Sequence, residues 1–214
     1  MRIASVFVLL LTGSIAFSQE RDFPDYRSKK ENFTRIQEKD IRTDVASFAF
    51  GGMDESIGKG KLASIPVVKY GRDFITFSGK DIQVTISGGA FDEAAHKFTY
   101  YNKEHLVKID SKAFYGSYDE KPETTIQSVT VIIGKDTVPI PAAAYSDLFN
   151  PEFTYNDKSG VVKSFNNVYF SLDKRTFYIY MLNRHPKANY EVTWVIRDKK
   201  YLRRVVDFGF LNKQ

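Results

Sequence analysis

Tyr190 to Phe210 reads YEVTWVIRDKKYLRRVVDFGF, and its alternation decides the fold class. Tyr190, Val192, Trp194 and Ile196 alternate with Glu191, Thr193, Val195 and Arg197. Beyond Asp198-Lys199-Lys200, Leu202, Val206, Phe208 and Phe210 alternate with Arg203, Val205 and Asp207. A period of two sends successive side chains to opposite sides of a pleated strand, so each run has one apolar and one mostly polar face. With Asp198 to Lys200 as a three-residue loop, the runs pair as an antiparallel hairpin in which Ile196 faces Leu202, Trp194 faces Arg204, Val192 faces Val206 and Tyr190 faces Phe208. This register sets Arg204 beside the Trp194 ring, a cation–π geometry worth about 0.5–2 kcal/mol. It also sets Glu191 opposite Asp207, a like-charge pair that counts against the register, although it sits at the open end of the hairpin.

The same grammar extends upstream. From Val67 onward, short apolar runs are divided by turn residues at the spacing of an all-β sandwich or barrel. The expected strands are Asp73 to Phe77, Ile82 to Ser87, Lys97 to Tyr101, Leu106 to Phe114, Ile126 to Ile133, Val138 to Ile140, Val168 to Leu172 and Thr176 to Asn183, followed by the hairpin above. Gly79-Lys80-Asp81, Gly134-Lys135-Asp136, Asp173-Lys174 and Asp198-Lys199-Lys200 are tight connections, in which Gly and Asp accept turn conformations and Lys keeps the tip solvated. Two short helices interrupt the strands. Phe91, Ala94, Ala95 and Phe98 have helical spacing, so Asp92 to Lys97 forms one turn or more capped by Asp92; Ala142 to Phe149 is entered through Pro141 and ended by Asn150-Pro151. An aromatic content of 15% also suits half-buried strands. These features predict an all-β fold, a single antiparallel β-sandwich built of consecutive hairpins with one or two short helices in the connections.

Three segments are expected. Residues 1–18 read as a signal peptide: Arg2, an apolar centre from Val6 to Leu11, and small residues Ala16 and Ser18 before the cut. The run is shorter than the roughly 20 residues of a spanning helix, and Gly13 and Ser14 weaken it further as an anchor. Residues 19–44 form a polar N-terminal arm, mobile or a short surface helix, and residues 45–214 the sandwich domain, beginning with a strand at Val45 to Phe50. The glycine-rich loop Gly51 to Gly60 has the wrong spacing for a phosphate-cradling loop, since Gly52 to Gly58 encloses five residues and Lys59 precedes Gly60.

The chain has no cysteine, so neither a disulfide nor a thiolate ligand is available, and the combination of export with no disulfide points to a bacterial periplasmic, cell-surface or secreted protein. Asn32-Phe33-Thr34 matches a glycosylation acceptor, which matters only in a eukaryotic secretory route. Charge is uneven: residues 161–214 carry eleven Lys and Arg against four acids, whereas residues 19–160 carry nineteen against twenty-two. The basic C-terminal quarter, with Arg197, Lys199, Lys200, Arg203 and Arg204, suits an anionic envelope polymer or lipid headgroups; an exported protein is not expected to meet nucleic acid. Equally, such charges protect a sheet edge.

Candidate chemistry is sparse. Asp92-Glu93-Ala94-Ala95-His96 resembles the helical metal motif of zinc hydrolases, in which two ligands four residues apart share a face, but Asp92 stands where the first His belongs, so Asp92 and His96 are only weak metal candidates, with Glu104 or His105 as a third ligand. A metal- or carboxylate-dependent hydrolase built on that segment is the enzymatic alternative. No Gly-x-Ser-x-Gly elbow occurs. In the hairpin from Val168 to Asn183, Phe170 faces Phe177 and Val168 faces Ile179, which gathers Tyr169, Tyr178, Tyr180 and Asn167 on the opposite face. Tyrosines beside an amide, with Arg203 nearby, form a candidate glycan platform; otherwise the face is covered by another layer. A membrane barrel is disfavoured because outward positions include Glu191, Arg197 and Arg203 and the chain ends in polar Leu211-Asn212-Lys213-Gln214. The sequence therefore points to an exported, non-catalytic binding or structural domain with no cofactor, not membrane-spanning once the signal is removed.

Overall fold

The computed structural model describes residues 24–55, 60–185 and 188–209, so the expected signal peptide at 1–18 lies outside the described residues. Most regular structure among the described residues is antiparallel strand. One sheet has the order β1 (Ala63–Ile65), β11 (Asn167–Phe170), β12 (Thr176–His185), β13 (Ala188–Arg197), β14 (Lys200–Phe208). The other has the order β2 (Val67–Tyr70), β3 (Phe74–Gly79), β4 (Ile82–Ala90), β7 (Thr124–Ile133), β8 (Asp136–Val138). The chain changes sheets at Pro66, between β1 and β2, where a missing N–H costs no ladder bond. Hairpin β5 (Phe98–Tyr101) and β6 (His105–Ile109) flanks the sandwich, and β9 (Tyr155–Asn156) pairs with β10 (Val162–Lys163).

The alternation of apolar residues explains why the sheets stack. Ile75, Phe77, Val84, Ile86, Val129 and Val131 from one sheet meet Val168, Phe177, Ile179, Val192, Trp194 and Val206 from the other in a single core. Trp194 is fully buried and its indole Nε1 donates to the Ala144 carbonyl at 2.8 Å, so the ring's one polar atom is satisfied. A satellite core of Leu106, Ile109, Phe114, Tyr118 and Phe149 lies under the β5–β6 hairpin.

The C-terminal register agrees with expectation from Tyr190↔Phe208 to Val195↔Arg203 and then slips by one residue. The loop has two residues, not three: Asp198 and Lys199 take φ of 51° and 59°, the doubly left-handed turn whose twist matches that of the strands. A bulge compensates, so Ile196 pairs with Tyr201 and Leu202 is the extra residue, 42% exposed. Lys80 and Asp81 make the same kind of turn, at 52° and 61°, between β3 and β4. The two expected helices shrink to single 3-10 turns, Glu93–Ala95 and Ala142–Ala144, because each segment carries too few residues to repay helix nucleation.

Val45 to Phe50 is not a strand. Helix α1 (Lys39–Val45) runs across the expected boundary between arm and domain, and Phe50–Glu55 is a 3-10 segment. Phe33, Ile36, Ile41, Val45, Ala46 and Ala49 are buried against Tyr178, Tyr180, Leu182, Val195 and Val205 on the outer face of the first sheet. That face is too apolar to meet water, and the arm covers it as a third layer.

Charge fixes the arm in place. Its acids meet the C-terminal strands: Glu31, joined by Asp147 from the loop after the Ala142–Ala144 turn, holds the Arg204 guanidinium, Glu38 takes Arg203 at 2.8 Å, Asp40 takes Arg197, and Asp44 accepts the Tyr178 hydroxyl at 2.8 Å. In return the sheet's acids receive the arm's backbone. Glu191, 2% exposed, accepts the amides of Phe50 at 2.9 Å and Gly51 at 2.6 Å and the Tyr180 hydroxyl at 2.8 Å. Asp207 accepts the Phe33 amide at 3.0 Å. The like-charge Glu191–Asp207 pair is real, and the donors on the arm make it tolerable. A Cβ on Gly51 would stand 2.8 Å from the Asp207 carboxyl carbon, so this glycine permits close approach.

Candidate functional site

Four hairpin turns meet at one end of the sandwich. Antiparallel pairing within each sheet brings the β3–β4, β7–β8, β11–β12 and β13–β14 connections to the same edge, around a cleft of about 620 Å³. Its floor is the open end of the core: Ile82 and Ile133, cross-strand partners at the ends of β4 and β7, with Phe170 closing β11. Lys80, Lys174 and Lys199 rim it, and Leu172 projects beside it with 86% of its surface exposed.

The acids at this end are mostly committed. Asp198 holds Arg175 through two bonds of 2.8 and 2.7 Å, and Asp136 holds Lys199 at 3.1 Å. Asp173 accepts the amides of Arg175 and Thr176 and so caps its own turn; its carboxyl pays a desolvation cost, but these bonds hold its pKa below the ordinary carboxylate value. Among the described residues, no carboxylate pairs with Lys80 or Lys174, and the Lys80 ammonium instead lies 5.2 Å from the centre of the Phe170 ring. The lining holds one carboxylate, Asp81, and no histidine; its lysines and apolar floor can hold an anion beside an apolar segment. A second cleft, about 490 Å³, opens at the other end of the same strands, where Arg72 shares the rim with Asp73 and Glu123 and no single charge sign prevails.

The expected site residues do not line this cleft. Tyr178 and Tyr180 do share a face with Tyr169 and Asn167, in the expected register, but Tyr178 is fully buried and Tyr180 is 4% exposed. Phe48 stacks on Tyr169 at 4.5 Å and packs edge-on to Tyr180 at 5.4 Å, so the seated arm covers Tyr178 and Tyr180 and one face of Tyr169. Burial raises the pKa of both hydroxyls, and their bonds to Asp44 and Glu191 raise it further. Asn167 reaches the Phe165 carbonyl at 3.5 Å, and Arg203 is engaged by Glu38.

The basic C-terminal hairpin finds much of its anionic partner within the chain. Arg204 keeps 9% of its side chain exposed; burial alone would lower its pKa, but the bonds and charges of Asp147 and Glu31 raise it. Its guanidinium lies over Tyr115, 5.7 Å from the ring centre, rather than over Trp194, its direct cross-strand partner.

Asp92 and His96 both make local contacts. Asp92 caps the 3-10 turn by accepting the Ala94 amide at 3.1 Å. His96 stacks on Phe91 at 4.6 Å and bonds Asp110 through Nδ1 at 2.7 Å. The described residues contain no group of three His, Cys, Asp or Glu able to hold a metal, and no helix among them is long and apolar enough to cross a membrane.

Each turn lysine behind the cleft is visible in the sequence, but only as hairpin chemistry; which tips share an end depends on strand pairing across the two sheets. Comparison with known protein families, with curated proteins and with solved structures returned no match.

Proposed function

We propose that this chain is an exported, non-catalytic binding domain of a bacterial envelope or its surroundings, and that the hairpin-tip cleft is its ligand site. The observation that carries this reading is an apolar floor of Ile82, Ile133 and Phe170 beneath Lys80 and Lys174, two ammonium groups with no carboxylate partner among the described residues. Cavities of this size suit small ligands, whose sites are mostly apolar with a few convergent polar groups. The other candidate constellations are engaged within the chain: the tyrosine face by the arm, Arg203 and Arg204 by Glu38 and Glu31, Asp92 by its own turn and His96 by Asp110. The rim therefore favours an anionic partner over a neutral glycan.

A methyl-resolved NMR titration tests the site. Neutral oligosaccharides, an acidic polysaccharide, and anionic and cationic amphiphiles are added separately, and the Ile82, Ile133 and Leu172 methyl signals are followed. Saturable shifts at these methyls with at least one probe are expected; shifts confined to other surfaces, or none with any probe, refute the assignment. Export is tested separately by mass spectrometry of protein recovered outside the cytoplasm, with Gln19 expected as the first residue and a retained Met1 refuting it.

A further inference from the structure

We infer that the cleft binds a single-chain anionic amphiphile, its chain along Ile82, Ile133, Phe170 and Leu172 and its headgroup between Lys80 and Lys174. This rests on the cleft being the ligand site and adds the chemistry of the occupant.

Four observations select that class. The floor is aliphatic and aromatic, and Leu172 is a large apolar side chain left 86% exposed at its edge, where a chain laid against it would withdraw both surfaces from water. The polar groups at the rim are dominated by lysines, compact charges on flexible stems that attract an anionic headgroup without demanding the fixed fork geometry an arginine imposes. Lys80 already rests against Phe170, so a headgroup at its ammonium would place the attached chain over that ring. Finally, a sugar polymer would need hydroxyl partners, and the lining supplies only Asp81 and Ser171 besides the lysines and backbone.

A flat bilayer fits less well. Ile82 is 7% exposed and lies at the floor of the cleft, so a planar surface would meet Leu172 and the lysine tips without reaching the apolar base. A slender chain can enter.

The test is isothermal titration of the mature protein with dodecanoate below its micelle concentration, in parallel with dodecyltrimethylammonium and with phosphatidylglycerol vesicles, while the same methyl signals are recorded. Dodecanoate is expected to bind one to one, more weakly as salt rises, and to shift Ile82 and Ile133. The cationic chain should bind far less. The double variant Lys80→Ala/Lys174→Ala should weaken dodecanoate by about fivefold and flatten its salt dependence. Leu172→Ser should weaken binding with the salt dependence kept. All three positions are at the surface, and unchanged circular dichroism confirms folding of each variant. Equal binding of both chains, or binding without shifts at the floor, overturns the inference. Vesicle binding with no uptake of monomeric dodecanoate overturns it in favour of a bilayer surface. If a saccharide moves the floor methyls and dodecanoate does not, the ligand class is wrong while the site stands; if no probe moves them, both fall.

Discussion

Replacing Asp207 by Asn removes one charge from the carboxylate pair that anchors the arm. Asp207 sits opposite Glu191 on adjacent strands, with the Phe33 amide as its donor from the arm. Burial pushes its pKa up to about 6, and the Phe33 amide only partly opposes that rise. Glu191 is raised too, first by burial and also by Asp207, against the lowering effect of Gly51, Tyr180 and Phe50. A carboxyl whose folded pKa exceeds its unfolded value binds protons more tightly when folded, so stability falls as pH rises from the unfolded value towards the folded one, and the penalty is complete above it. For Asp207 that window runs from 3.8 to about 6. The gap corresponds to about 3 kcal/mol, and since the group is only half-buried, about 1–3 kcal/mol of it should be measurable. Asn keeps an oxygen for the Phe33 amide and offers an N–H₂ towards Glu191. Asp207→Asn is therefore expected to be more stable than the wild type at pH 7.5, with the advantage vanishing by about pH 4. Urea unfolding at a series of pH values, followed by Trp194 fluorescence, measures this. A variant that loses stability at pH 7.5, or whose difference from the wild type does not change across pH 4–7, refutes the account.

Gly51→Ala would drive a Cβ into the Asp207 carboxyl, and lifting this segment would strip Glu191 of two backbone donors. A loss of about 2–4 kcal/mol is expected, with faster hydrogen exchange at the Phe50 and Gly51 amides than at the centre of β12. Arg203 and Arg204 are neighbours with different exposure: Arg204→Ala leaves Glu31 and Asp147 unpaired in a half-buried site and should cost about 3–5 kcal/mol, whereas Arg203→Ala should cost about 1 kcal/mol or less. Equal losses in thermal melts would show that exposure does not govern them. Trp194→Phe orphans the Ala144 carbonyl and leaves a void in the main core, so about 1–3 kcal/mol should be lost in denaturant unfolding with no change in the sheets' circular dichroism.

Much of the all-β architecture was legible because strand alternation is local. Val192, Trp194 and Val206 could be assigned to one face from spacing alone, and the same register paired Glu191 with Asp207. The two-residue turn was harder to see, because Asp198-Lys199-Lys200 admits either loop length and the choice is settled by the bulge at Leu202. The packing of the arm against the sheet is hidden for a related reason. Phe33, Ile36, Ile41 and Val45 are too sparse to look like a core element, yet they complete one when laid on an apolar face about 140 residues away along the chain.

The alternating faces, the turn chemistry and the uneven charge are all local, since each depends on neighbours along the chain. What those charges and rings meet depends on how the layers pack. Arginines that looked available are held by the arm's acids, and tyrosines that looked open are roofed by Phe48. Lysines that looked like separate turn tips stand around one cleft. The physical reason is common to all three: burial and pairing are properties of surfaces brought together by strand order, and strand order joins residues that no local pattern connects.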